Sequence, residues 1–231
     1  RLYYAHIASM SEDVEWTEDG VMNYKQRLDR IMGTVEELVT LDGAKTEIDA
    51  WLISRFNSHV ATVRNAMDRY DLRSAATAAY FEMLTDIRWY LRRGGSDKAT
   101  VREALRIWIM SMQPFTPHVA EELWHMVGFE GLVSAALYPE AGECDAVAEY
   151  GEQFLKGVMD DVAQIKKIAN IEPKRIVIYT APAWKERILG FALDMLREGK
   201  LTIPDLTKRC MADEDLRKNG KAVSEFAKKV A

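Results

Sequence analysis

His118, Glu121, Glu122 and His125 fall within two helical turns, and the 118/122, 121/125 and 122/125 pairs sit at one-turn spacing. Imidazoles and carboxylates so spaced on one helix face can grip a divalent cation. No cysteine, third histidine or paired motif elsewhere completes such a site, so packing and capping is the preferred reading and no metal is assigned. Neither G-x-G-x-x-G nor G-x-x-x-x-G-K-[ST] occurs, and Gly94-Gly95 reads as a helix terminus. No local nucleophile motif accompanies the four histidines and two cysteines. The chain is expected to carry no catalytic residue and no cofactor of its own.

Cations offer a different chemistry. Arg88, Arg92, Arg93 and Lys98 surround one expected helix end, and Arg102 and Arg106 continue along the next helix. Lys166, Lys167, Lys174 and Arg175 form a second cluster. Guanidinium groups bond phosphate bidentately, which suits RNA backbone, although cations also favour helix C-termini for the dipole alone. The net charge of −5 hides alternating blocks: −6 over 1–49, +4 over 50–110, −8 over 111–155 and +5 over 156–231. A local phosphate-binding face is compatible with that distribution.

The elements that must position these groups are mostly helices. Thr17 caps a helix carrying Val21, Tyr24, Leu28, Ile31, Val35 and Leu38 inward, with Asp42-Gly43 as its stop. Thr46 with Asp49 resembles a capping box and starts the next helix. Further helices are expected over 71–93, 97–113, from Pro117 with Thr116 as cap to Gly128, and from Asp145 through Ala169. Asp13 to Trp16 reads as an edge strand or extended link. Arg175-Ile-Val-Ile-Tyr-Thr180, β-branched and bounded by prolines, reads as a strand that must pair with something, Leu132 to Leu137 being one option. Beyond it come a helix from Pro182 to about Arg197 and two short charged helices broken at Gly220. The expected fold is therefore mainly α: a connecting segment over 1–16, an antiparallel helical bundle over 17–170, and a small α/β appendage over 171–231. No apolar run reaches the ~20 residues of a membrane span, no signal peptide is evident, and Cys144 and Cys210 read as reduced thiols, pointing to a cytoplasmic protein without a membrane partner.

The densest motif is Met112-Gln-Pro-Phe-Thr-Pro-His-Val-Ala-Glu-Glu-Leu-Trp124. Two prolines three residues apart cannot both lie inside one helix, so one helix ends near Gln113 and another opens at Pro117. The string resembles the signature of the anticodon-binding helical bundle in class I aminoacyl-tRNA synthetases for leucine, isoleucine and valine. In that reading Pro114, Phe115, Pro117, His118, Glu121, Glu122 and Trp124 shape the helix junction and do not read bases. Arg1-Leu-Tyr-Tyr-Ala-His-Ile-Ala-Ser9 with Asp13-Val-Glu-Trp16 resembles the segment after the KMSKS loop of these enzymes, as if the chain started mid-helix. Pro173 to Lys185 and Leu216 to Val223 are similar to the region C-terminal to the bundle in archaeal and eukaryotic-type leucyl-tRNA synthetases. The resemblance implies a fragment that docks a leucine tRNA, while catalytic and editing domains of the same polypeptide, absent here, use ATP and Mg²⁺. A valine or isoleucine counterpart, and a protein–protein adaptor, are the rival readings.

Overall fold

The computed structural model describes residues 1–9 and 12–231. The described chain divides into two compact units, Arg1–Ile165 and Lys166–Ala231.

The first unit is built from helices α1 (Leu2–Ile7), α2 (Glu18–Leu38), α3 (Glu47–Asp68), α4 (Leu72–Thr77), α5 (Met83–Arg92), α6 (Lys98–Met112) and α7 (Pro117–Val127). Most of α8 (Ala146–Ala169) belongs to it as well. Sequence determines the starts: Thr17 accepts from Gly20, Asp71 from Ser74 and Asp97 from Thr100, and Thr46 and Asp49 form the capping box. α2 ends at Leu38, four residues before Asp42. There Thr40 donates its hydroxyl to the carbonyl of Glu37 and turns the chain early.

Residues 71–93 do not form one regular helix. A π-helical turn over Ala78–Glu82 separates α4 from α5, and such a turn rotates the following side chains relative to those before it. Small residues surround it: Ala75, Ala76, Ala78 and Ala79 are buried, which lets neighbouring backbone approach closely. Trp108 of α6 donates its indole N–H to the carbonyl of Ala79 at 2.6 Å, inside the core. The core runs through Ile31, Val35, Leu52, Phe56, Tyr80, Ile87, Leu105 and Trp108, and every buried side-chain nitrogen or oxygen among the described residues is hydrogen-bonded.

The second unit holds α9 (Ala183–Arg197), α10 (Ile203–Ala212), α11 (Glu214–Arg217) and α12 (Gly220–Val230). Its core is smaller: Ile188, Ala192, Met195, Leu206, Cys210, Leu216, Val223 and Ala227, with Trp184 and Phe191 packed at its edge. The tail thus forms three helices where two were expected, because Asp213 caps the short α11 with its own carboxylate.

The expected strand at 175–180 is not formed, and the appendage is helical. No sheet occurs among the described residues, only an isolated bridge between Gly43 and Asp97. Leu132 to Leu137 contains a 3₁₀ turn, Val133–Ala135, and supplies no pairing partner. Ile176, Val177, Ile178 and Tyr179 are exposed, Tyr179 by 93 %. A single extended segment leaves its N–H and C=O groups unpaired and has no stability as a strand alone. Asp13 to Trp16 likewise forms no strand.

Candidate nucleic-acid interface

Pro117 opens α7 at its first position, and Gly128 closes it at φ 78°, a left-handed conformation that suits glycine. Thr116 occupies the cap position without capping. Its hydroxyl lies 2.6 Å from the hydroxyl of buried Tyr80, which also donates to the carbonyl of Met112 at 2.9 Å. Phe115 packs edge-on against Tyr80 with ring centroids 6.0 Å apart. Burial pushes the Tyr80 phenol up, so it stays neutral as a hydrogen-bond donor. Trp124 is buried against Phe129, centroids 4.3 Å apart, and donates to the carbonyl of Glu130. Pro114 lies exposed beside the junction, lining a groove of about 330 Å³ with Gln113, Met110 and Tyr138.

The His/Glu set does not converge. Glu121 accepts from the backbone N–H groups of Val133 and Ser134 at 2.9 and 3.2 Å, holding the 3₁₀ turn, and this helps keep its carboxyl below the usual range despite the opposing cost of burial. His118, Glu122 and His125 are exposed. Among the described residues no three His, Cys, Asp or Glu side chains gather as metal ligands.

The expected cations separate into two groups. Arg93 makes a two-pronged contact with Glu152 of α8, which also takes the indole N–H of Trp89 at 2.7 Å. Arg102 donates to the carbonyls of Val127 and Gly128 at 2.8 and 3.2 Å and lies over Phe129 at 4.3 Å, closing the end of α7. Arg106 pairs with Glu103, and Lys166 with Glu172. Arg88, Arg92 and Lys98 are exposed on the first unit without a carboxylate partner among the described residues, Arg92 lying over Trp89 at 5.6 Å. Lys167, Lys174 and Arg175 are exposed on the second unit and equally unpaired.

Two cations outside the expected clusters join Arg88. Arg27 and Arg30 stand one turn apart on α2, in a stretch whose net charge is negative. The guanidinium of Arg27 lies 3.7 Å over the ring of Phe81, a π-turn residue. Partial burial and the charges of Arg30 and Arg88 hold Arg27 below its ordinary value. Spacing along the sequence could not bring Arg27 and Arg88 together; the only local signal was the i, i+3 arginine pair itself.

The class defined by these features is a helical bundle with a Pro-x-x-Pro junction and an arginine-bearing surface. Residues 49–178 match the family model described as the anticodon-binding domain of tRNA ligase, and the chain belongs to that family. It is similar along its whole length to leucine–tRNA ligases, at 38 % identity in Archaeoglobus fulgidus and 34 % in Methanococcoides burtonii. The ligase of Methanocaldococcus jannaschii is 36 % identical over 98 % of the chain. The chain spans about a quarter of the length of these relatives, 24 %, 25 % and 24 % respectively. Among solved structures, the agnB2 LeuRS of Agrobacterium radiobacter K84, in a ternary complex with tRNA and LeuAMS, shares the fold at a TM-score of 0.51. The match has 19 % identity over 62 % of this chain and 19 % of that one. No helix among the described residues is long and apolar enough to cross a membrane.

Proposed function

We propose that this chain is the tRNA-docking part of a cytoplasmic leucine–tRNA ligase. The single observation that carries the reading is the match of 49–178 to the anticodon-binding family, within a whole-chain similarity to leucine–tRNA ligases. The whole-chain similarity to leucine–tRNA ligases favours leucine over the valine and isoleucine alternatives, and no observation favours an adaptor.

Catalysis is assigned to other domains of such a ligase. This part is expected to hold no ATP or Mg²⁺ of its own, which is supported by the engagement of Glu121 with backbone N–H groups and by the sequence having no G-x-x-x-x-G-K-[ST] loop. What this chain's residues do is bind. Arg88, Arg92 and Lys98 on the bundle, with Lys167, Lys174 and Arg175 beyond it, are the cations free to meet phosphate. Arg93, Arg102 and Lys166 are reassigned to holding structure.

Phosphate contacts set orientation and carry little sequence information. The chain is therefore expected to grip the body of the tRNA and to tolerate changes in the anticodon. The test is fluorescence anisotropy of leucine tRNA transcripts with native and swapped anticodons. Equal, salt-dependent affinities support the reading; no binding at low salt refutes it. A hundredfold preference for the native anticodon, about 3 kcal/mol, overturns the phosphate-grip part alone.

A further inference from the structure

Arg27 is held in place before any ligand arrives. Phe81 stacks on the imidazole of His6, with centroids 4.4 Å apart and planes 17° from parallel. Arg27 lies 3.7 Å from the same ring centroid. Two planar groups that close cannot share one face, so Phe81 is sandwiched between them. His6 in turn is fixed by the hydroxyls of Tyr24 and Thr77, the latter at 3.1 Å from Nε2. The π turn over Ala78–Glu82 supplies Phe81 to this column. A guanidinium stacked in this way has already given up much of its rotamer freedom, so less is lost when it binds.

The charges around it are uncompensated. Arg27 feels Arg30 and Arg88, and no carboxylate pairs with any of the three among the described residues. The acids that adjoin Arg30 and Phe81 in the sequence are engaged elsewhere: Asp29 with Lys25, and Glu82 with His59. Three arginines from two helices, one of them pre-positioned, repel each other until an anion arrives. Spread over α2 and α5, they suit the repeated charge of a nucleic-acid strand better than one isolated anion.

We propose that Arg27, Arg30 and Arg88 form a phosphate-binding site for the RNA backbone, with the His6–Phe81 stack as the support that presents Arg27. The site rests on the tRNA-docking reading and names the face that does the docking.

The test compares tRNA binding by the 231-residue chain and by its combined Arg27→Ala, Arg30→Ala, Arg88→Ala variant across a salt series. The expected result is a loss of about tenfold or more in affinity at low salt. The salt slope is expected to fall by about two to three, one counterion release per lost contact. Phe81→Ala, which keeps all three charges, is expected to lose affinity by about threefold with the slope nearly unchanged. If the parent chain binds and the triple variant binds equally well with the same slope, the site is wrong while the docking reading stands. If the parent chain binds no tRNA at low salt, both are wrong. Should the triple variant fail to fold, the three single Arg→Gln variants decide instead; equal affinity in all three overturns the site.

Discussion

Arg55 and Arg27 occupy opposite electrostatic situations in the same bundle. Arg55 reaches from α3 into a cleft where Asp86 lies 3.0 Å away and Glu149 3.4 Å away. His59 bonds the same Asp86 carboxylate at 2.9 Å, and Lys156 approaches it at 3.9 Å while lying over Trp51 at 4.8 Å. Burial pushes the Asp86 carboxyl up, but its bond to His59 and the charge of Arg55 outweigh this and hold it below its ordinary value. Arg27 has the same side chain and is half-buried too, but it faces other cations. A cation enclosed by carboxylates fastens helices together; a cation left among cations is available to a partner. The helix α8 shows the first use clearly: it buries no residue fully, and charged contacts through Glu149, Glu152 and Lys156 help fasten it to the bundle.

The contrast can be broken most severely at Asp86. Asp86→Ala leaves Arg55 and His59 without their shared carboxylate and is expected to cost about 3–5 kcal/mol, as loss of one member of a buried charge pair does. Urea denaturation measures it, and a loss below about 1 kcal/mol would mean that the cleft is well solvated. Arg102→Ala removes two charge-assisted bonds to the last carbonyls of α7 and its stacking on Phe129. It is expected to cost about 1–2 kcal/mol, with the loss shown by the same assay.

At the other extreme, the combined Arg27, Arg30 and Arg88 alanine variant is expected to lose no more than about 1 kcal/mol, since the only attractive charge contact removed is the stacking of Arg27 on Phe81 and the repulsion among the three cations is relieved. A large drop in its unfolding midpoint would place these arginines in the structural set. The smallest effect concerns His6. Burial first, then the charges of Arg27 and Arg73, hold its imidazole below 6.5. A base with a lowered value in the folded state contributes stability that is complete above its ordinary value and lost as pH falls through the lowered one. Melting temperature is thus expected to decline on acidification below about pH 6.5 more steeply in the parent than in His6→Gln. Parallel profiles would show that protonation of His6 meets no resistance.

Much of this bundle was legible in the sequence where local chemistry alone decides the outcome. The Pro114 and Pro117 break, the Thr17 cap, the Thr46 and Asp49 capping box and the Gly128 stop each depend on a few consecutive residues, and the structure has them in those places. The strand expected at 175–180 failed because β-branched composition expresses a preference, while a strand needs a neighbour that these residues do not find. The π turn was invisible because nothing in an alanine-rich run announces one extra residue per turn. Among the cations, charge clustering along the chain grouped Arg88 with Arg93 and Arg102, and only the fold shows that the latter two make contacts within the bundle. Glu152 and the end of α7 claim those two from 59 and 25 residues away. Arg27 and Arg30 were masked by the acidic residues around them in sequence, none of which pairs with either of them among the described residues.

The salt dependence of tRNA binding is the most direct measurement of the difference between the two arginine sets. It is made on the parent chain, on the Arg27, Arg30, Arg88 alanine variant, and on an Arg93, Arg106 alanine variant of the carboxylate-paired set. The slope of log affinity against log salt is expected to shrink by about two to three in the first variant and to stay at the parent value in the second. Equal slopes in the two variants would contradict the division, and a loss confined to Arg93 and Arg106 would reverse it.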